Sequence, residues 1–102
     1  MTELNELGLS SYEEQVYRTL LVTGAATATE LSTASDVPKG RIYDVLNGLE
    51  ARQLVRTHAT DPTRYAAVDP SEAVAQLLAE RAVELRDEWA RYRSIAGTVR
   101  SD

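Results

Sequence analysis

The 102-residue chain has no cysteine, no phenylalanine and one histidine. Without cysteine it can form neither a disulfide nor a thiolate metal site, which is consistent with a reducing compartment. No segment approaches the roughly 18 consecutive apolar residues of a membrane-spanning helix, and the amino terminus lacks the basic and apolar regions of a signal peptide. These absences predict a cytoplasmic protein without a membrane span.

The residues that build active sites are also scarce. The chain has no glycine-rich phosphate loop, and acids such as Glu84, Asp87 and Glu88 fall on a predicted exposed helix face. His58, the single histidine, is better explained as a solvated side chain than as a base or a metal ligand. We therefore expect no enzymatic activity, no metal, no cofactor and no effector site for a small molecule within this chain.

Lysine is rare, with one lysine against ten arginines, and the formal net charge of -5 argues against a nucleic-acid partner. The charge is unevenly distributed, however. Residues 1–36 hold one arginine against six acids, residues 37–68 five cations against three acids, and residues 69–102 five arginines against seven acids. Only the central third is therefore net basic. The composition resembles that of proteins from salt-loving archaea, although a GC-rich mesophile could produce much of it.

The central third also contains the most regular apolar pattern. Four apolar residues recur at helical spacing, namely Ile42, Val45, Leu46 and Leu49. This stripe predicts a helix over about residues 38–53 that docks on a core, with Asp36 as its cap and Pro38 in its first turn. The face opposite the stripe consists of Gly40, Asp44, Asn47 and Ala51, flanked by Lys39, Arg41, Tyr43 and Gly48.

Two capped helices are predicted before this one. Ser10 or Ser11 starts the first by a capping box, and the pattern from Thr27 to Glu30 starts the second. The predicted buried residues are Tyr12, Val16, Leu20 and Leu21 in the first helix, and Leu31 and Ala34 in the second. About four residues separate the second helix from the third, which is the spacing of a helix-turn-helix motif.

After Leu54 the apolar period changes from that of a helix to that of a strand. Residues 55–59 and 65–68 are predicted to form a β-hairpin, joined by a type I turn that contains Asp61 and Pro62. The resulting wing spans about residues 55–68 and carries Arg64 at its tip. Three helices followed by a hairpin predict a mainly α fold with a small β-hairpin, a winged helix-turn-helix domain over residues 1–69.

A long dimerisation helix is predicted over residues 70–102, with Asp69 as its cap. Apolar residues fill successive a and d heptad positions, which indicates a two-stranded coiled coil between chains. The interface positions are Leu78, Ala82, Leu85, Trp89 and Tyr92. Val74 and Leu77 lie off this seam and are expected to fix the helix to the domain. Packing of the seam within the chain is the alternative, and both parallel and antiparallel pairing remain open.

Three segments carry a family resemblance: LGLSSYEEQVYRTLL, ATATELSTASDVPKGRIYDVLNGLEARQLV and TRYAAVDPSEAVAQLL. About residues 6–80 resemble the amino-terminal DNA-binding domain of TrmB-type archaeal transcription regulators. The resemblance implies a dimer that binds at promoters with its third helix in the major groove. Larger members continue into a sugar-sensing domain, so this chain is either a short regulator or an excised domain.

One position departs from the family. Gln53 stands where members generally have a glycine that ends the third helix. A non-glycine residue in the left-handed conformation costs about 1 kcal/mol, so both the family's helix end and a different one remain open.

The residues expected to bind DNA are Thr27, Thr29, Lys39, Gly40, Arg41, Tyr43, Asn47 and Arg64. Arg41 is predicted to contact a guanine, against the alternative of a solvated arginine. Asn47 either reads an adenine or is a plain exposed amide, and Tyr43 either reaches a phosphate or packs on the second helix. Capping also explains Thr27, and Gly40 either permits close backbone approach or is simply tolerated.

Asp44 is the weakest point of this face, because an acid repels phosphate. It is predicted to pair with Arg41 at i, i+3 rather than to accept from a cytosine. The sequence as a whole predicts a dimeric, sequence-specific DNA-binding transcription regulator. The alternative is a winged-helix protein-interaction module of the archaeal transcription machinery, which the net negative charge favours.

Overall fold

A computed structural model describes residues 4–100, which contain five helices and three short strands. A 3-10 helix at Leu4–Leu7 is followed by α1 (Ser11–Thr23), β1 (Ala26–Thr27), α2 (Ala28–Ser35), α3 (Lys39–Ala51), β2 (Val55–His58), β3 (Arg64–Ala67) and α4 (Pro70–Arg100). The predicted mainly α winged helix with a long last helix is confirmed. The predicted ranges 1–69 and 70–102 each extend beyond the described residues.

Both predicted capping boxes are present. The Ser10 hydroxyl accepts from the Glu13 N–H at 3.2 Å, and the Glu13 carboxylate accepts from the Ser10 N–H at 2.9 Å. The same reciprocal pair joins Thr27 and Glu30, at 3.2 and 2.8 Å. Each box satisfies two amide groups that lack a partner within the helix, so α1 and α2 begin where the sequence predicts.

Replacing Thr27 with alanine is expected to lower the free energy of unfolding by about 1 kcal/mol, because α2 loses its amino-terminal cap. Urea denaturation followed by circular dichroism measures the change. Thr33→Ala is the matched control, since Thr33 is an exposed residue in the interior of the same helix. Equal losses for the two variants would contradict a specific capping role.

The buried faces of α1 and α2 differ in part from those predicted. Tyr17 is buried in α1 and donates its hydroxyl to the Val68 carbonyl at 2.7 Å, whereas Leu21 is exposed. In α2 the buried side chains include Ser32 and Ser35, and Ala34 is exposed. The predictions for Leu21 and Ala34 were wrong because they ranked residues by apolarity, while buried hydroxyls that are hydrogen-bonded cost little.

The wing is part of a three-stranded antiparallel sheet in the order β1-β3-β2. The sequence did not predict β1, which pairs Ala26 with Tyr65 and Thr27 with Arg64, because two residues are too few to show alternation. The predicted type I turn is not closed by a hydrogen bond from the Arg64 N–H to the Asp61 carbonyl. The loop between β2 and β3 is held instead by the Thr60 hydroxyl, which donates to the Pro62 carbonyl at 2.7 Å, and the Asp61–Pro62 bond is cis.

The third helix begins one residue later than predicted, and Asp36 does not cap it. Pro38 occupies the cap position without a side-chain hydrogen bond, while Asp36 adopts a left-handed conformation that ends α2. Aspartate tolerates this conformation better than most residues. The connection between the helices is so short that the one acid serves the end of α2 rather than the start of α3.

The far end of α3 keeps the ending typical of the family although glycine is absent. Gln53 has a φ of 64°, the Leu54 N–H donates to the Leu49 carbonyl at 2.9 Å, and the Gln53 N–H donates to the Glu50 carbonyl at 2.9 Å. These two bonds form a Schellman motif around a left-handed residue. Of the two endings left open by the sequence, the structure has the strained one.

Gln53→Gly is therefore expected to stabilise the protein by up to about 1 kcal/mol, because glycine adopts this φ without a Cβ clash. The midpoint of urea denaturation measures the gain. Gln53→Ala removes the same exposed side chain but keeps the strain, so it should give no gain. A Gln53→Ala variant as stable as Gln53→Gly would contradict the explanation.

The last helix, α4, contacts the body only through its beginning. Asp69 accepts from the Ser71 N–H at 3.0 Å, Ala73 and Leu77 are buried, and Val74 is half-buried. Every residue from 81 to 100 is exposed, and the helix continues through Gly97 without interruption. Within residues 4–100, none of the helices is long and apolar enough to cross a membrane.

Candidate nucleic-acid interface

The solvent face of α3 carries the residues predicted for it. Its four stripe residues are all buried. The side chains on the other face are all exposed, namely Lys39, Arg41, Tyr43, Asp44 and Asn47 together with Gly40. An ideal Cβ built on Gly40 would meet no atom within 4 Å, so the fold itself does not require glycine there.

Arg41 leans toward α1 rather than along α3. Its guanidinium carbon lies 5.8 Å from the centre of the Tyr12 ring, which is cation–π distance. No ion pair joins Arg41 to Asp44 in the part of the chain that the structure describes, so the pair predicted at i, i+3 is wrong. Side chains in a helix point toward its amino terminus, and at position 41 this direction leads to the ring of the half-buried Tyr12.

The start of α2, the side chain of Tyr43 and the wing loop surround one small cavity of about 130 Å³. The predicted residues Thr27, Thr29 and Tyr43 line it, together with Ala28, Pro62, Thr63 and Tyr65. Burial raises the pKa of Tyr65, and the neighbouring Tyr43 adds to this effect. The structure thus brings hydroxyl groups from α2, α3 and the sheet together beside the amino terminus of α2.

Arg64 does not lie at the tip of the wing. It is the first residue of β3, paired with Thr27 on one side and His58 on the other, and its guanidinium is 3.5 Å from a carboxylate oxygen of Glu30. Hydrogen bonds from Thr27, aided by the Arg64 charge, lower the pKa of Glu30. The loop itself, residues 59–63, contains no basic residue. The predicted tip position was wrong by one residue, because β3 begins at Arg64 and pairs it with both β2 and β1 beside the loop.

Ion pairing leaves positive charge unneutralised mainly at the start of α3. Of the five cations in residues 37–68, Arg52 pairs with Glu13 and Glu80, Arg56 with Glu72, and Arg64 with Glu30. Lys39 and Arg41 form no ion pair with any residue between 4 and 100. The basic character of the central third is therefore concentrated in the first turn of α3.

Sequence reasoning missed one residue that connects this face to the rest of the molecule. Arg52, the carboxyl-terminal cap residue of α3, donates to the Gly8 carbonyl at 3.0 Å and to the Glu80 carboxylate at 3.0 and 3.3 Å. Its acceptors lie 44 and 28 residues away in the chain. No local pattern in the sequence indicates such contacts.

The residues predicted for a dimer seam are exposed in the single chain. Leu78, Leu85, Trp89 and Tyr92 are between 48% and 66% exposed, and Ala82 is also exposed. Arg93 and Arg91 lie over the rings of Trp89 and Tyr92 at 5.9 and 5.7 Å. The alternative that the seam packs against its own domain is therefore wrong. Two apolar residues off the seam, Val83 and Ile95, are exposed as well.

The family model described as "Sugar-specific transcriptional regulator TrmB" matches residues 4–71. The sugar-sensing transcriptional regulator TrmBL1 of Pyrococcus furiosus is 39% identical over 70 residues, which is 69% of this chain and 20% of that protein. The putative regulator TrmBL2 of the same organism is 30% identical over 80 residues, 78% of this chain and 30% of that protein. This chain thus spans less than a third of either relative.

Two solved structures of transcriptional regulators and chromatin proteins share the fold of this chain. The structure of TrmBL2, described as an archaeal chromatin protein with a novel mode of DNA binding, has a TM-score of 0.85 and 27% identity over 94% of this chain and 38% of its own. A MarR family regulator from Silicibacter pomeroyi has a TM-score of 0.60 and 26% identity over 85% of this chain and 65% of its own. The family model, the two relatives and the shared winged helix lead to one conclusion: this chain belongs to the TrmB family of transcriptional regulators.

Proposed function

We propose that the chain binds double-stranded DNA sequence-specifically at promoters, as a homodimer, with α3 in the major groove and the wing beside the backbone. One observation carries this proposal. The first turn of α3 is exposed and holds the two cations of the central third that lack an acidic partner, next to the hydroxyl-rich start of α2. This end of the second helix of a helix-turn-helix motif is the one that meets bases and phosphates.

The roles of the individual residues follow from their positions. Arg41 leaves the Tyr12 ring and pairs with a guanine, since an exposed cation–π contact is worth about 0.5–1 kcal/mol and a bidentate guanine contact about 1–3 kcal/mol. Asn47, further along the same face, reads an adenine. Lys39 contacts a phosphate, and Gly40 lets the backbone approach the DNA closely.

Phosphate contacts extend from α3 to its neighbours. Thr29 is exposed at the start of α2, where backbone N–H groups and the helix dipole favour an anion. Thr27 contributes chiefly by capping that helix. Tyr43, on α3, contacts the same strand of the DNA as Thr29. Arg64 contributes only if DNA replaces Glu30 as its partner, so its share is small. Asp44, without Arg41 beside it, accepts from a cytosine.

Dimerisation brings two such faces together. The exposed seam along α4 buries Leu85, Trp89 and Tyr92 against a second copy, and two-fold symmetry directs each α3 to one half of a palindromic site. A regulator of this kind works beside the chromosome in the cytoplasm and needs no enzymatic activity or cofactor of its own.

A protein-interaction module is the second candidate. The net charge of -5 and the pairing of Arg56 and Arg64 with acids favour it, because both reduce attraction to phosphate. In that case the exposed face of α3 would bind another protein rather than DNA.

Fluorescence anisotropy separates the two candidates. The chain is titrated into the duplex of its own promoter region and into a random duplex of equal length, over a series of salt concentrations, with circular dichroism at each salt to check folding. We expect preference for the promoter duplex and a loss of affinity with salt of about 0.9 log units per log unit for each phosphate neutralised. Absence of preference for any duplex at moderate salt would refute DNA recognition.

A further inference from the structure

The direction in which α4 leaves the domain depends on few contacts. Only Ala73 and Leu77 are buried along its 31 residues, and Glu80 is the last residue that is even half-buried. Residues 81–100 then project from the body for about 30 Å at 1.5 Å per residue. A change of 10° at residue 80 would move the far end by about 5 Å, so a small error in direction becomes a large displacement.

Arg52 holds α4 at this exit point. Its Nη2 and Nε donate to one oxygen of Glu80 at 3.0 and 3.3 Å, while its Nη1 donates to the Gly8 carbonyl at 3.0 Å and lies 3.5 Å from Glu13. The side chains of Arg52 and Glu80 are 24% and 31% exposed, so solvent screens this pair less than a fully exposed one. We call Gly8, Glu13, Arg52 and Glu80 the Arg52 node.

The node fits an arginine closely. Gly8 has a φ of 104°, and a Cβ at that position would lie 3.2 Å from Arg52 Nη2. The planar guanidinium with its five donors bridges three chain segments at once, which the single ammonium of a lysine cannot do in the same geometry. The backbone that carries it is the end of α3, so the node joins α3 to the turn before α1, to α1 through Glu13, and to α4.

We propose that Arg52 is a positioning residue that fixes the direction of α4 relative to α3. The second part of the proposal rests on the dimer of the proposed function. In that dimer, the same contact sets the distance between the two copies of α3 and thus the preferred spacing of DNA half-sites. Another ion pair to α4, Arg56 with Glu72, cannot serve this role equally. The side chains of Arg56 and Glu72 are 69% and 58% exposed, respectively. Their contact is at the first turn of α4, where that helix is already anchored.

Double electron–electron resonance measures the distance between two spin labels within one chain. It therefore tests the direction of α4 without DNA. Because the chain lacks cysteine, Val22→Cys on α1 and Ser94→Cys on α4 provide two exposed labelling sites. Doubly labelled protein is diluted with unlabelled protein so that distances between copies do not contribute. Residue 94 lies about 21 Å beyond residue 80, so each 10° of reorientation moves that label by about 4 Å.

We expect a narrow distance distribution for the parent chain and a broadened or shifted one for Arg52→Met. Arg52→Lys should give a distribution of intermediate width. The double variant Arg52→Glu with Glu80→Arg, which exchanges the two charges, should give a narrower distribution than Arg52→Met. Arg56→Met is the matched control and should leave the distribution unchanged. If Arg52→Met fails to fold, Glu80→Ala removes the acceptor on α4 while leaving Arg52 bonded to Gly8, and it should broaden the distribution as well.

An unchanged distribution in folded Arg52→Met or Glu80→Ala protein would overturn the proposal, as would an equal change in Arg56→Met. Binding to duplexes with half-sites at different spacings then tests the second part, in which Arg52→Met should lose the parent's spacing preference. A chain that is monomeric by light scattering would refute the dimer of the proposed function, while the distances within the chain would still decide the role of Arg52.

Discussion

Leu85→Asp is expected to convert the proposed dimer into a monomer. Leu85 occupies the centre of the exposed seam of α4, where a second copy would bury it. An aspartate there leaves an unpaired charge in an apolar interface, and even truncation of a buried leucine costs about 2–5 kcal/mol. Light scattering should show the mass fall from that of two chains to that of one, 11.2 kDa.

Val83→Asp is the control for this result. Val83 lies on the same stretch of α4 and is 53% exposed, against 48% for Leu85, but it is off the seam. It should remain dimeric and keep the circular dichroism of the parent, because Val83 is exposed and lies off the seam. A mass unaffected by Leu85→Asp, or an equal effect of Val83→Asp, would contradict the seam.

Arg41→Ala is expected to weaken discrimination between DNA sequences, because it removes one of the proposed base contacts. Loss of a bidentate guanine contact costs about 1–3 kcal/mol, so affinity for the promoter duplex should fall roughly 5- to 150-fold. Affinity for a random duplex should fall much less, because only one phosphate-attracting charge is lost. Anisotropy titrations with both duplexes at one salt concentration measure the two changes.

Arg64→Ala provides the comparison. Its charge is already shared with Glu30, and it lies in the strand pair next to the wing loop, where the proposed contact is with a phosphate. This variant should weaken binding to both duplexes alike and only slightly. If Arg41→Ala and Arg64→Ala reduced promoter binding equally and left the preference intact, the assignment of Arg41 would be wrong.

Local sequence patterns predicted the local parts of this structure. The buried stripe of α3, the capping boxes at Ser10 and Thr27 and the cap at Asp69 each depend on residues within one or two helical turns of one another. Periodicity and capping describe such neighbours well. For this reason the order of helices, the hairpin and the exposed face of α3 could all be predicted.

Contacts between distant residues could not be predicted in this way. Strand β1 exists because Ala26 and Thr27 find β3, and that pairing places Arg64 beside Glu30 instead of at the wing tip. Arg52 meets Gly8 and Glu80 only once three segments are packed. Arg41 likewise contacts Tyr12 and not Asp44, because α1 packs beside α3. Each of these outcomes depends on tertiary geometry that a single sequence does not display.

The central claim is that the first turns of α3 form the surface that contacts DNA. Nuclear magnetic resonance of isotope-labelled protein, titrated with its promoter duplex, tests this claim most directly by mapping which backbone amides shift. We expect the largest shifts at residues 39–47, with smaller ones at 27–29 and little change over 81–100. Largest shifts along residues 81–100, or none at saturating duplex, would contradict it.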